Sequence, residues 1–245
     1  MVSFKELKSR INADFRFEKK EILTLLAAIL ITAFIFSFSN WGDDAFNAVI
    51  GFKNLILMIL ATSITFFFWS TFQKVYALAE GYEAKFRVWW PGLGISLLVA
   101  FISFGRFAFP LIGGTTNVFN TRYRLGEFRY GYSNQDNAQI CFSGIIANLL
   151  LAMFFAVGNY FSPQNYFFPK GIILNLSMAF FSLLPFPKLN GLTIFFGSRM
   201  LYYISIAAVL LFAVLLLSGT AIGLIIALVI ALIATISFLM TYSEK

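Results

Sequence analysis

Several apolar runs, each of about 18 residues or more, limit how this chain can fold more than any other feature. A helical run of that length matches the hydrocarbon thickness of a bilayer. Only helices and closed barrels satisfy their backbone groups there. Hydrophobic residues make up 60% of the 245 and charged residues 12%, against about 45–50% and about 25% in soluble domains. These values predict an all-α integral membrane protein of about six transmembrane helices, with the lipid bilayer as its first partner.

The runs order themselves along the chain. Residues 1–21 form a polar arm carrying Lys5, Lys8, Arg10, Arg16, Lys19 and Lys20. The first span is expected over 22–39. It is longer than a secretion-signal core and lacks a small-x-small cleavage pattern, so it is read as retained. A second span covers 55–78, and 81–91 reads as polar and turn-rich, with Trp89 and Trp90 suited to a membrane interface. Further spans are expected over 138–155 and 172–184. The apolar run 201–240 is too long for one crossing, and Ser218-Gly219 divides it into a hairpin. Segment 92–111 is apolar, but Gly92, Gly94, Gly105 and Pro110 weaken it and Arg106 interrupts it. Within 113–137, aromatic residues alternate around Arg122, Arg124 and Arg129 as in short strands. The organisation expected is an arm (1–21), a first helix (22–39), a core (54–191) holding a re-entrant and strand region (92–137), and a carboxy-terminal hairpin (200–241).

Basic residues decide the ambiguous segment. If 92–111 does not cross, all of the 18 Lys and Arg residues except Lys53, Lys170 and the intraspan Lys74 fall on one side with both termini. If it crosses, that asymmetry nearly vanishes. The positive-inside rule therefore predicts a re-entrant element and cytoplasmic termini in a multi-pass cell-membrane protein. The net charge of +7 follows from topology, and no nucleic-acid partner is expected. A single cysteine, Cys141, excludes an internal disulfide.

At the end of the second span the chain reads Phe72-Gln73-Lys74-Val75-Tyr76-Ala77-Leu78-Ala79-Glu80-Gly81. Residues 140–152 read ICFSGIIANLLLA and residues 175–191 read NLSMAFFSLLPFPKLNG. In order and spacing these three stretches resemble the site-2 protease family of intramembrane metalloproteases, with 77–87 (ALAEGYEAKFR) especially similar to archaeal members. The resemblance implies a three-helix core with a metal site near the cytoplasmic face. Gly81, Gly144, Asn148, Asn175, Pro185 and Gly191 correspond to its packing positions.

The departures fall on the chemistry. The family's HExxH has Phe72, Gln73 and Tyr76 at its three functional positions, Asn190 replaces the liganding Asp, and Ser182 replaces an Asn. A hydrolytic zinc needs three ligands, an open position and a base. Phe72 has no lone pair, a tyrosine phenol such as that of Tyr76 ordinarily keeps its proton until about pH 10, and the Gln73 and Asn190 amides neither ligate as carboxylates nor carry protons. With no histidine in the chain, no metal, no cofactor and no catalytic residue are expected, and the resemblance becomes one to a degenerate, pseudoenzyme member. Lys74 has two readings: it snorkels to the interface, or it joins Gln73, Tyr76, Ser182 and Asn190 in a polar cleft that replaces the metal. Asn148 and Asn175 are expected to join helices by hydrogen bonds.

Three functions follow. The first is an inactive scaffold or regulator that binds a transmembrane protein partner. The second is a zinc metallopeptidase with an atypical site. The third is a transporter or channel using the vacated cleft, which the lack of paired intramembrane acids and of an internal repeat disfavours. The oligomeric state is left open by the sequence.

Overall fold

The computed structural model describes residues 4–42, 46–120 and 133–243, so the strand reading of 122–132 lies outside the described residues. The elements run α1 (Phe4–Asp14), α2 (Lys19–Ser37), α3 (Ala48–Glu80), β1 (Tyr82–Val88), α4 (Trp90–Ile102), β2 (Gly113–Asn120), α5 (Asn134–Phe161), α6 (Phe167–Ser182), α7 (Asn190–Gly197), α8 (Arg199–Leu217) and α9 (Ala221–Ser243). The chain is an all-α membrane protein with little sheet. Helices α2, α3, α5 and α8 are long and apolar enough to cross a bilayer. Large apolar side chains such as Leu23, Leu98, Val214 and Ile222 remain exposed, as a lipid-facing surface requires. Helix α6 has only 16 residues, so the four long apolar helices found among the described residues do not fix the expected six crossings.

Helix α3 organises one end of the molecule. The Asn47 side chain accepts from the Val49 and Ile50 amides and starts it. Its 33 residues rise about 50 Å. It stops at Gly81, where φ is 90° and the amide returns to the Ala77 and Leu78 carbonyls. Gly81 is therefore a left-handed cap, a role beyond the packing position expected of it. Arg10 of α1 donates to the Leu78 carbonyl at 2.9 Å and the Ala79 carbonyl at 3.1 Å, placing positive charge at the negative end of the helix dipole.

Two expected irregular stretches are ordered. The arm contains α1, and 82–88, read as turn, is strand β1. Tyr82, Ala84, Phe86 and Val88 alternate with Glu83, Lys85 and Arg87, and Ala84 and Phe86 are buried. That period of two is the strand signal. β1 pairs antiparallel with β2, Val88 opposite Gly113 and Tyr82 opposite Asn120. Between the strands, α4 has 13 residues and rises about 20 Å, short of a core of about 30 Å. Its Phe101 ring meets Phe34 and Phe38 near the end of α2, and Gly105 packs on Ser39. The chain then returns, Trp89 donating to the Ile112 carbonyl at 2.7 Å. Segment 92–111 thus leaves and rejoins the same two-stranded sheet.

Helix α5 is the most enclosed of the four long apolar helices and packs on α3, α6, α7 and α8. Glycines set two of its contacts, Gly171 lying against Phe155 and Gly158 against Phe168. The run 201–240 breaks into α8 and α9 at Gly219, where φ is 63°.

Candidate functional site

Consecutive residues on a helix point about 100° apart, and the last turns of α3 use this to separate two environments. Trp69, Gln73 and Tyr76 turn toward α5. The Gln73 amide donates to the Cys141 carbonyl at 3.4 Å, and the Tyr76 hydroxyl donates to Gln139 Oε1 at 3.3 Å. Gly144 of α5 lies directly against the Gln73 amide and the Trp69 indole, where a Cβ would collide with both. Phe72 packs on Phe68 with ring centroids 6.0 Å apart. Across the fold, Asn190 opens α7, buried with its side chain against Gly114 of β2.

Beside them lies a small recess of about 10 Å³, room for about one water, bounded by Trp69, Asn148, Ser182, Leu189, Ile112 and Gly113. The sequence places Trp69 one turn before Gln73, and Leu189 directly precedes Asn190. Both elements that carry the expected site positions therefore border the recess. Ser182 Oγ donates to the Ala179 carbonyl at 2.9 Å, which leaves its oxygen able to accept. The Trp69 indole N–H and both polar atoms of the Asn148 amide are buried without a hydrogen-bond partner among the described residues. Buried polar groups in folded proteins are nearly always bonded, so three such atoms on one recess mark it.

Lys74 does not join the cleft. Its Nζ lies 2.9 Å from Glu21 Oε2, donates to the Arg16 carbonyl at 3.1 Å, and sits 4.6 Å from the Phe17 ring centroid. The other Glu21 oxygen accepts from the Phe86 amide at 3.0 Å. The side chains of Lys74 and Glu21 are 6% and 4% exposed. This corrects both expectations for Lys74: it neither snorkels nor faces Asn190. A charge in the bilayer is tolerated when paired and hydrogen-bonded, and the partner comes from α2, 53 residues earlier.

The remaining expected positions separate by role. Asn175 donates to Thr65 Oγ1 at 3.1 Å and to the Gly171 carbonyl at 2.8 Å, linking α6 to α3. Gly191 lies against the Leu183 carbonyl. Pro185 is exposed in the turn after α6, so it ends a helix and does not pack one. Trp69, Gly114, Gln139 and Glu21 were not expected at the site. Of these, only Trp69, one turn before Gln73, carried a sequence signal.

The residues present do not fit a zinc ion. Gln73 and Asn190 offer neutral amides held against glycines, Tyr76 offers a phenol bonded to Gln139, and Phe72 offers carbon. The described residues contain no group of three His, Cys, Asp or Glu that could hold a metal.

No family model matches the chain, and no solved structure matches it. Over 181 residues it is 28% identical to a Methanocaldococcus jannaschii protein provisionally named a zinc metalloprotease, an alignment covering 72% of this chain and 84% of that protein. The similarity supports a metalloprotease family.

Proposed function

We propose that this chain is a site-2-protease-like membrane protein without hydrolytic chemistry, a scaffold or regulator that holds a transmembrane partner at the recess. In this reading it sits in the cell membrane with both termini cytoplasmic. One observation carries the proposal. The four positions where the family holds zinc and its base contain Phe72, Gln73, Tyr76 and Asn190, while the adjacent recess keeps hydrogen-bonding atoms on Trp69 and Asn148 that have no partner among the described residues.

Leaving a buried polar group unsatisfied costs about 1–3 kcal/mol. The recess has room for about one water, so a peptide group from a locally unwound transmembrane segment would supply what these atoms lack once the helices part to admit it. Its carbonyl would accept from the indole or the Asn148 amide, and its N–H would donate to the Asn148 oxygen. Such a segment has matching needs, because a peptide group released from a helix inside the bilayer has no water to bond. The recess therefore favours holding a partner over reacting with it.

The relative's name favours a second reading, a zinc peptidase with an atypical site. Two measurements separate the readings. Elemental analysis of the purified protein should find far less than one zinc per chain. A photo-crosslinking amino acid at Ser182, introduced in native membranes, should capture an intact membrane polypeptide that the same group at Leu98 does not. Stoichiometric zinc, or capture only of a cleaved fragment, defeats the scaffold reading. No Ser182-specific adduct defeats the assignment of the recess.

A further inference from the structure

We infer that the amino-terminal arm is a docking surface for anionic phospholipid headgroups. The observations are independent of the recess. Lys5, Lys8, Arg16, Lys19 and Lys20 are all exposed. Among the described residues none of them takes part in an ion pair.

The neighbouring glutamates are paired with other cations. Glu6 pairs with Arg10, Glu18 with Lys85, and Glu21 with Lys74. These pairs use Arg10, Lys74 and Lys85 and leave the five exposed cations without an ion-pair partner among the described residues. Asp14, half-buried, turns toward the small recess it shares with Arg16 and Lys74.

Depth decides the class of partner. Lys19 and Lys20 immediately precede the apolar face of α2, where Ile22 and Leu23 are exposed. A cation one turn from lipid-facing residues sits at headgroup level. Helix α1 carries the same pattern, with Leu7 and Ile11 half-buried and Lys5 and Lys8 exposed, as a helix lying along a membrane surface requires.

The cations are also held on a fixed frame. Arg10 is bonded to the last carbonyls of α3, the Arg16 carbonyl receives Lys74, and Phe17 packs edge-on to Phe67 with ring centroids 6.3 Å apart. A pre-ordered basic surface loses less conformational entropy on binding than a loose tail. A nucleic acid would offer the same phosphate chemistry, but it would approach from water and gain nothing from the exposed apolar start of α2.

The test uses the full chain reconstituted in phosphatidylcholine, with spin-labelled phosphatidylglycerol or phosphatidylcholine as the probe. The immobilised fraction of each probe gives their relative association with the protein. Phosphatidylglycerol should associate roughly threefold or more better than phosphatidylcholine, and added salt should weaken the preference. The variant K5Q/K8Q/K19Q/K20Q should bring the ratio close to one, whereas Lys53→Gln should leave it unchanged. If the fourfold variant fails to fold, K5Q/K8Q and K19Q/K20Q made separately should each lower the ratio partway. A native ratio of one, or a preference unmoved by every folded arm variant, overturns the inference. Arm-dependent binding of a labelled RNA duplex with no phosphatidylglycerol preference overturns it equally.

Discussion

The two faces at the end of α3 differ in a way that inverts the usual reading of a membrane helix. The face toward α2 carries the charge. There Lys74 meets Glu21, the Arg16 carbonyl and the Phe17 ring, and Glu21 also binds the Phe86 amide. The face toward α5 is neutral, yet it holds the buried indole of Trp69 opposite an Asn148 amide that is equally without a partner among the described residues. An ionisable group inside a bilayer is by default a functional candidate. Here the charge joins α2, α3 and β1 into one frame, and the uncharged face holds the buried polar atoms that have no partner among the described residues. What distinguishes a site is unmet bonding capacity, not charge.

The largest expected effect tests the closed face. Lys74→Met leaves Glu21 buried without its counter-ion and should destabilise the protein by about 3–5 kcal/mol. Lys74→Met combined with Glu21→Leu should recover most of that loss. Unfolding in detergent measures both, and a double variant no better than the single would mean that the pair does not act as a unit.

Gly144→Ala tests the other face. The added methyl meets the Gln73 amide and the Trp69 indole, and overpacking of this kind costs about 1–3 kcal/mol. A neutral result would show that these side chains yield, weakening the picture of a pre-shaped recess.

A matched pair of amides sharpens the contrast in sign. Asn175→Leu breaks the bond to Thr65 and should cost about 1 kcal/mol. Asn148→Leu removes buried polar atoms that have no partner among the described residues. It should leave the partner-free protein as stable as before, or more so, while reducing crosslinking from Ser182. Equal losses in thermal unfolding for the two variants would erase the distinction.

The smallest effect lies at the exposed margin of the charged face. The hydrogen bond from Lys85 holds the Glu18 carboxyl below its ordinary value, and the bond to Glu18 holds the Lys85 ammonium above its own. For Glu18, the stabilisation is present above the ordinary carboxyl value and is lost as pH falls through the lowered one. For Lys85, it is present below the ordinary lysine value and is lost as pH rises through the raised one. Lys85→Met should therefore cost a little stability at neutral pH and nothing in strong acid. A difference that grows on acidification would contradict the pairing.

Much of the fold was legible because apolar length is a local property. The runs that became α2, α3, α5 and α8 read directly as helices, and the break at Gly219 showed as a small-residue interruption. Strand β1 was also legible in principle, in the alternation of Tyr82, Ala84, Phe86 and Val88, but the Gly81 to Pro91 punctuation masked it. The role of Lys74 was not legible at all. Its counter-ion stands in the first turn of another helix, and nothing in the sequence around either residue indicates the other.

The amino acids alone determined that this chain lives in a bilayer and which donor chemistry it can offer. Hydrophobicity accumulates along a run, and a side chain's ability to ligate or titrate belongs to its type. Tertiary structure decided which polar groups are satisfied. Gln73 and Lys74 are neighbours in the chain, but a 100° turn of the helix sends one against Gly144 of α5 and the other to a buried carboxylate. A hydrogen bond or ion pair exists only where packing brings two groups within reach.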